Sequence, residues 1–91
     1  MTDLSKIREQ INNIDEQIIE LWKERMALSL SVAEYKKENN LPILDEQREK
    51  ELLDRIGSLA GEELEEYSRA LYSEIMRISR DYQERQIKGD L

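Results

Sequence analysis

Apolar side chains fall at Leu4, Ile7, Ile11, Ile14, Ile18, Leu21, Leu28, Val32 and Tyr35. Steps of three and four keep this stripe on one face of a helix. Arg25 is the one break in it, and no glycine or proline interrupts residues 4–36. The intervening Glu, Lys, Gln and Arg residues hold helix well. At 1.5 Å per residue the helix is about 50 Å long. A compact fold of 91 residues is narrower than that, so the far end of the stripe needs cover from outside a small monomeric core.

Asp3 or Thr2 caps the start of this helix through an acceptor side chain. The helix stops within Glu38-Asn39-Asn40-Leu41-Pro42, where Asn tolerates the left-handed conformation and Pro42 disfavours helix at Leu41. Asp45 reads as the cap of a short second helix, roughly 46 to 57, that turns Leu52, Leu53 and Ile56 inward. Gly57 to Gly61 is the next break. A third helix, about 62 to 86, opens on Glu62 and Glu63, whose charges suit its positive end. Its stripe is Leu64, Tyr67, Leu71, Ile75, Ile78 and Tyr82, and the tail from Ile87 is expected to fray. The result is an all-α, three-helix protomer in one domain, residues 1–91. Its long first helix favours a dimer in which the long helices pair over an uneven monomeric three-helix bundle.

Composition narrows the chemistry. Hydrophobic and charged residues each make up 38% of the chain, with three glycines and one proline, which suits a charged helical protein. There is no cysteine and no histidine. Disulfides, thiol nucleophiles, thiolate metal sites and the usual neutral-pH proton shuttle are thereby absent. The acidic residues lack calcium-loop spacing, so neither metal nor cofactor is expected. A net charge of −7 disfavours non-specific binding to nucleic acid or an anionic membrane. The first residues lack the apolar core of a signal peptide and no apolar run approaches membrane-spanning length, so a cytoplasmic location is expected.

Against this background the polar residues at stripe positions stand out. A guanidinium at Arg25 must reach water or meet an anion. Ser29, Val32 and Lys36 lie near the same face, with Lys36 about 16 Å further along the axis. Two long cationic arms across that gap can hold a small polyanion. On the third helix, Ser79 and Gln83 are neighbours at i, i+4. Arg48 and Glu49 follow the Asp45 cap. Facing one another, these groups form a pocket with cations, neutral hydrogen-bonding groups and a few acids, without a histidine or cysteine nucleophile. Taken singly, Lys36 and Arg48 read as ordinary solvated charges, Arg25 as an interface arginine paired with one of 21 acidic residues, and Trp22 and the tyrosines as packing residues.

Together these residues give a chain that closely resembles the all-helical chorismate mutase family, including the mutase domain fused to prephenate dehydratase in many bacteria. The resemblance covers nearly the whole chain. It rests on Ile-Arg-Glu-Gln-Ile-Asn-Asn-Ile-Asp from Ile7 to Asp15, on Arg25 and Lys36, on Leu41-Pro42-Ile43-Leu44-Asp45 with Glu46-Gln47-Arg48-Glu49, and on Ser79 with Gln83. It implies rearrangement of chorismate to prephenate, in phenylalanine and tyrosine synthesis, within an interlaced all-helical homodimer that has two equivalent pockets. It also implies roles: Arg25 and Arg8 of the second copy on the two carboxylates, with Arg48 reinforcing. Lys36 and Gln83 approach the ether oxygen, Glu49 takes the ring hydroxyl, and Asp45 and Ser79 give supporting polar contacts. The arithmetic of the helix agrees with a shared pocket. Arg8 and Arg25 are about 25 Å apart along the axis and about 100° apart around it, too far for one small ligand on one straight helix. Two other readings stay open on sequence alone: an isochorismate pyruvate-lyase of similar fold, and a noncatalytic or partner-dependent helical module.

Overall fold

The computed structural model describes residues 3–89 and consists of three α-helices: α1, Leu4–Glu38; α2, Glu46–Ala60; and α3, Glu65–Lys88. Each boundary has a local cause. The Asp3 carboxylate accepts the Lys6 backbone N–H at 3.0 Å and the Ser5 hydroxyl at 2.7 Å. The backbone bond, chiefly, holds the Asp3 carboxyl below its ordinary value. The cap therefore contributes above the ordinary carboxylate range and is lost as pH falls through the lowered value. The alternative cap, Thr2, lies outside the described residues. At the other end Asn40 takes φ 55°, and the Leu41 N–H returns to the Lys36 carbonyl at 2.8 Å, closing α1 ahead of Pro42. Asp45 caps α2 by accepting the Arg48 N–H at 3.0 Å.

Three boundaries differ from those expected. α2 does not end at Gly57; it runs to Ala60, and Gly57 is buried inside it. A Cβ at Gly57 would come within 2.7 Å of the Arg69 guanidinium, which spans Glu65 at 3.0 Å and Asp54 at 3.4 Å. The glycine admits that cross-helix arginine rather than breaking the helix. α3 begins at Glu65, not Glu62, because the chain first makes a turn that returns the Leu64 N–H to the Gly61 carbonyl. Leu64 is thus an N-cap residue rather than part of the α3 stripe. The far end also differs, since α3 stays helical through Lys88 and closes on Gly89 in the left-handed region.

α3 packs against both other helices, while α1 and α2 do not pack on each other. The cross-contacts set the directions. Arg25 lies over Tyr72 and Ser29 meets Ser79, so α3 runs parallel to the second half of α1. Glu49 pairs with Arg80 and Asp54 with Arg69, so α2 runs antiparallel to α3. The product is a slab of 58 × 30 × 15 Å. Its radius of gyration is 16.5 Å, where a compact chain of this length has about 12 Å.

So flat a protomer has almost no interior. Ala33 and Met76 are its only buried apolar side chains among the described residues. No described residue of another element covers the first half of α1, where Ile7, Ile11, Ile14 and Ile18 remain 41–55% exposed. Further on, Leu28, Tyr35, Tyr67 and Leu71 are also exposed.

The two glycines around the α2 end should respond unequally to added methyl groups. Gly61 has φ 84° and ψ 163°, a region open essentially to glycine alone. Gly61→Ala should therefore cost about 1–3 kcal/mol in urea unfolding. At Gly57 the helix propensity gained, about 1 kcal/mol, offsets the displaced Arg69, and Gly57→Ala should be close to neutral. Equal losses at the two positions would contradict this assignment of their roles.

Candidate active site

The sequence-predicted polar residues converge on a cleft of about 340 Å³ between α1 and α2, floored by α3. α1 supplies Arg25, Ser29 and Lys36, one to two turns apart on a single face. The connector and α2 supply Ile43, Asp45, Arg48 and Glu49. α3 supplies Ser79 and Gln83, and Leu28, Val32, Leu52 and Met76 make the apolar walls. Every site residue named from the sequence lines this cleft except Arg8. That arginine projects from the uncovered first half of α1, about 25 Å along the axis from Arg25.

Buried hydrogen bonds build the floor. Ser29, Ser79 and Gln83 are the buried polar side chains of the described protein. The Ser29 hydroxyl donates to the Arg25 carbonyl at 3.1 Å. Its one proton being spent, the 2.8 Å contact between the two serine oxygens needs the Ser79 hydroxyl as donor. Gln83 Nε2 then donates to Ser79 Oγ at 3.1 Å. This chain ties α1 to α3 and leaves Gln83 Oε1 buried without a partner among the described residues. Such a group costs stability unless something that enters the cleft satisfies it. Neither serine bonds to a basic group in this network, so neither is activated as a nucleophile.

The walls are charged. Lys36 Nζ donates to the Ile43 carbonyl at 2.7 Å, which holds the half-buried ammonium at the cleft and leaves its other protons available. The Arg25 guanidinium lies 5.9 Å from the Tyr72 ring centroid, a cation–π contact that steadies it without using up its N–H donors. Arg80 pairs with Glu49 across α2 and α3. Counting Arg48 and Asp45, four cations and two acids line the cleft. The site is therefore locally positive in a protein of net charge −7. Among the described residues no cluster of three metal-ligating side chains occurs, and no helix is long and apolar enough to cross a membrane. A cleft of this kind can bind a small polyanion by planar arginine forks and place hydrogen-bond donors along it.

Comparison with known proteins agrees with that geometry. Residues 7–84 match the family described as chorismate mutase type II. The chain belongs to this family. It is 47% identical over 57 residues to a bifunctional chorismate mutase/prephenate dehydratase of Buchnera aphidicola, a match that covers 63% of the chain and 15% of that protein. A chorismate mutase of Methanocaldococcus jannaschii is 44% identical over 59 residues, 65% of the chain and 60% of the relative. A solved structure, a conserved hypothetical protein from Pyrococcus furiosus, aligns with a TM-score of 0.75 at 37% identity, over 91% of this chain and 97% of the other. The chain thus spans less than two thirds of the length of these curated relatives.

Within this chorismate mutase fold, the sequence reading missed Arg80 and the particular role of Tyr72. Arg80 follows Ser79 directly and sits three residues before Gln83, so extending the face drawn through Gln83 by one turn would have reached it. Tyr72 was read only as packing, since nothing in one helix tells which cation of another lies over its ring.

The serine chain carries a stability prediction. Ser79→Ala leaves both the Ser29 hydroxyl and the Gln83 amide short of a partner. Unfolding by urea should show a loss of about 1–3 kcal/mol with helicity retained in buffer. An unchanged midpoint would mean that these hydroxyls are not linked as described.

Proposed function

We propose that the chain catalyses the intramolecular rearrangement of chorismate to prephenate, working as an interlaced homodimer. The observation that carries this reading is the cleft itself: cations from three elements around a neutral amide and two hydroxyls, with no nucleophile, in a chain of the chorismate mutase family. A Claisen-type rearrangement needs no nucleophile and no obligatory proton transfer. It needs the enolpyruvyl arm held over the ring, and charge stabilised in the breaking ether bond.

In this proposal Arg25 takes one substrate carboxylate as a fork, Arg48 reinforces a carboxylate, and Asp45 contributes a polar contact beyond its capping role. Lys36 offers the ether oxygen the protons not engaged by Ile43. Gln83 does so with its amide turned over and its NH₂ group facing the ligand; the serine chain then reverses, with Ser79 donating to Gln83 Oε1 and Ser29 donating to Ser79 instead of to the Arg25 carbonyl. These bonds strengthen as negative charge develops on oxygen, which lowers the barrier rather than merely tightening binding. Glu49 accepts the ring hydroxyl and has nothing to deprotonate. The second carboxylate is met by Arg8 of a second copy. An antiparallel partner helix laid on the exposed stripe of α1 can bring that residue to this chain's Arg25 and Lys36. The same contact would cover Ile7, Ile11, Ile14 and Ile18.

Product analysis tests the reading. Purified chain supplied with chorismate should give prephenate, while salicylate and pyruvate formed from isochorismate would identify a lyase instead. Lys36→Ala should lower kcat by about 100-fold or more with helicity unchanged, and near-normal turnover would remove Lys36 from the ether. Because binding is electrostatic, KM for chorismate should rise with ionic strength. A KM indifferent to salt would contradict a pocket that works by charge.

A further inference from the structure

We infer that Arg80 is a positioning residue of this cleft: it holds the Glu49 carboxylate by one oxygen so that the other can take the substrate's ring hydroxyl, and it cancels the charge Glu49 would otherwise set against a dianion. The inference rests on the mutase reading above.

The ion pair differs from the surface pairs around it. Lys23 with Glu20, Arg77 with Glu74 and Arg85 with Asp81 are all i,i+3 or i,i+4 contacts within one helix. Arg80 and Glu49 are 31 residues apart and join α3 to α2 where both side chains line the cleft. Arg69 also bridges those helices, but outside the cleft.

The bonding is one-sided. Arg80 Nη1 donates to Glu49 Oε2, while Oε1 receives no hydrogen bond among the described residues. Two of the other three cleft cations are placed for different work, since Lys36 is directed to Ile43 and Arg25 lies over Tyr72. A glutamate on a helix surface has three side-chain torsions free. A charge-assisted bond from a second helix removes much of that freedom and fixes where the remaining oxygen sits. It also alters the local field. Without Arg80, three cations would face two acids, and the Glu49 charge would lose its paired cation in the cleft wall. Neither partner is fully buried, at 29% and 24% exposure, so solvent screens the pair in part and limits what it adds to stability.

Steady-state kinetics of the full chain with chorismate test this, comparing wild type, Arg80→Gln, Arg80→Lys, Glu49→Gln and the Arg80→Gln/Glu49→Gln double variant. Arg80→Gln should raise KM about tenfold while kcat falls less than about threefold, and Arg80→Lys should recover most of the loss. In the Glu49→Gln background the effect of Arg80→Gln should shrink to about twofold, because there is no carboxylate left to hold. An unchanged KM in Arg80→Gln overturns the inference. So do strictly additive effects, which would mean that Arg80 acts on the substrate directly. Should Arg80→Gln lose helicity by circular dichroism, Arg80→Met, which keeps the apolar stem, takes its place with the same expected values. Wild-type protein that makes no prephenate refutes the mutase reading and this inference with it; active wild type with an indifferent Arg80→Gln refutes only the inference.

Discussion

The first helix is longer than anything else in the chain can cover, and the rest of the structure follows from that mismatch. α3 lies along only the second half of α1, and α2 does not touch it. Burying one large aliphatic side chain contributes about 1.5–3 kcal/mol, and four isoleucines of the first half of α1 remain half in water. Among the described residues the buried apolar interior of the protomer is limited to Ala33 and Met76. The apolar surface available for stabilisation is thus mostly on the outside, where the proposed second copy would be both the missing core and a source of the missing arginine.

That geometry links stability to chemistry through a single helix. The face of α1 that carries Arg25, Ser29 and Lys36 into the cleft is a continuation of the stripe that leaves Ile7 to Ile18 uncovered. An arginine at a stripe position is costly in a core but suits the edge of a cleft, where it can snorkel to an anion. An acidic protein can concentrate positive charge there because the local field, not the net charge, governs a ligand within a few ångströms. The proposed catalysis asks nothing else of the chain, since the ligand's own bonds do the rearranging and the protein supplies orientation and charge.

Much of this could be read from residues alone, for physical reasons. Period-3.6 patterning and the caps Asp3 and Asp45 depend on neighbours within four residues, and α1 and the start of α2 accordingly lie where the sequence puts them. The two glycine positions were harder. Gly57 reads as a breaker when only propensity is considered, yet a loss of about 1 kcal/mol is readily tolerated where another helix needs room for Arg69. The turn from Gly61 to Leu64 reads as helix because its glutamates suit a helix start, although the backbone bond from Leu64 to Gly61 delays α3. In the cleft, residues at stripe positions could be picked out because polarity there is unusual. Arg80 is an ordinary charge in a charged helix, and only the register between α2 and α3 reveals its partner. Arg8 is different again: its distance from Arg25 follows from helix geometry, but the described chain alone does not bring the two together.

The claim on which the account depends is that one working pocket needs two chains, and mixing two disabled proteins measures it most directly. An Arg8→Ala protomer and an Arg25→Ala protomer, each nearly inactive alone, are combined under conditions of confirmed subunit exchange and assayed for prephenate. Heterodimers would then hold one pocket with both arginines intact, and activity should rise well above that of either parent. Exchange without recovery would contradict a pocket shared between copies.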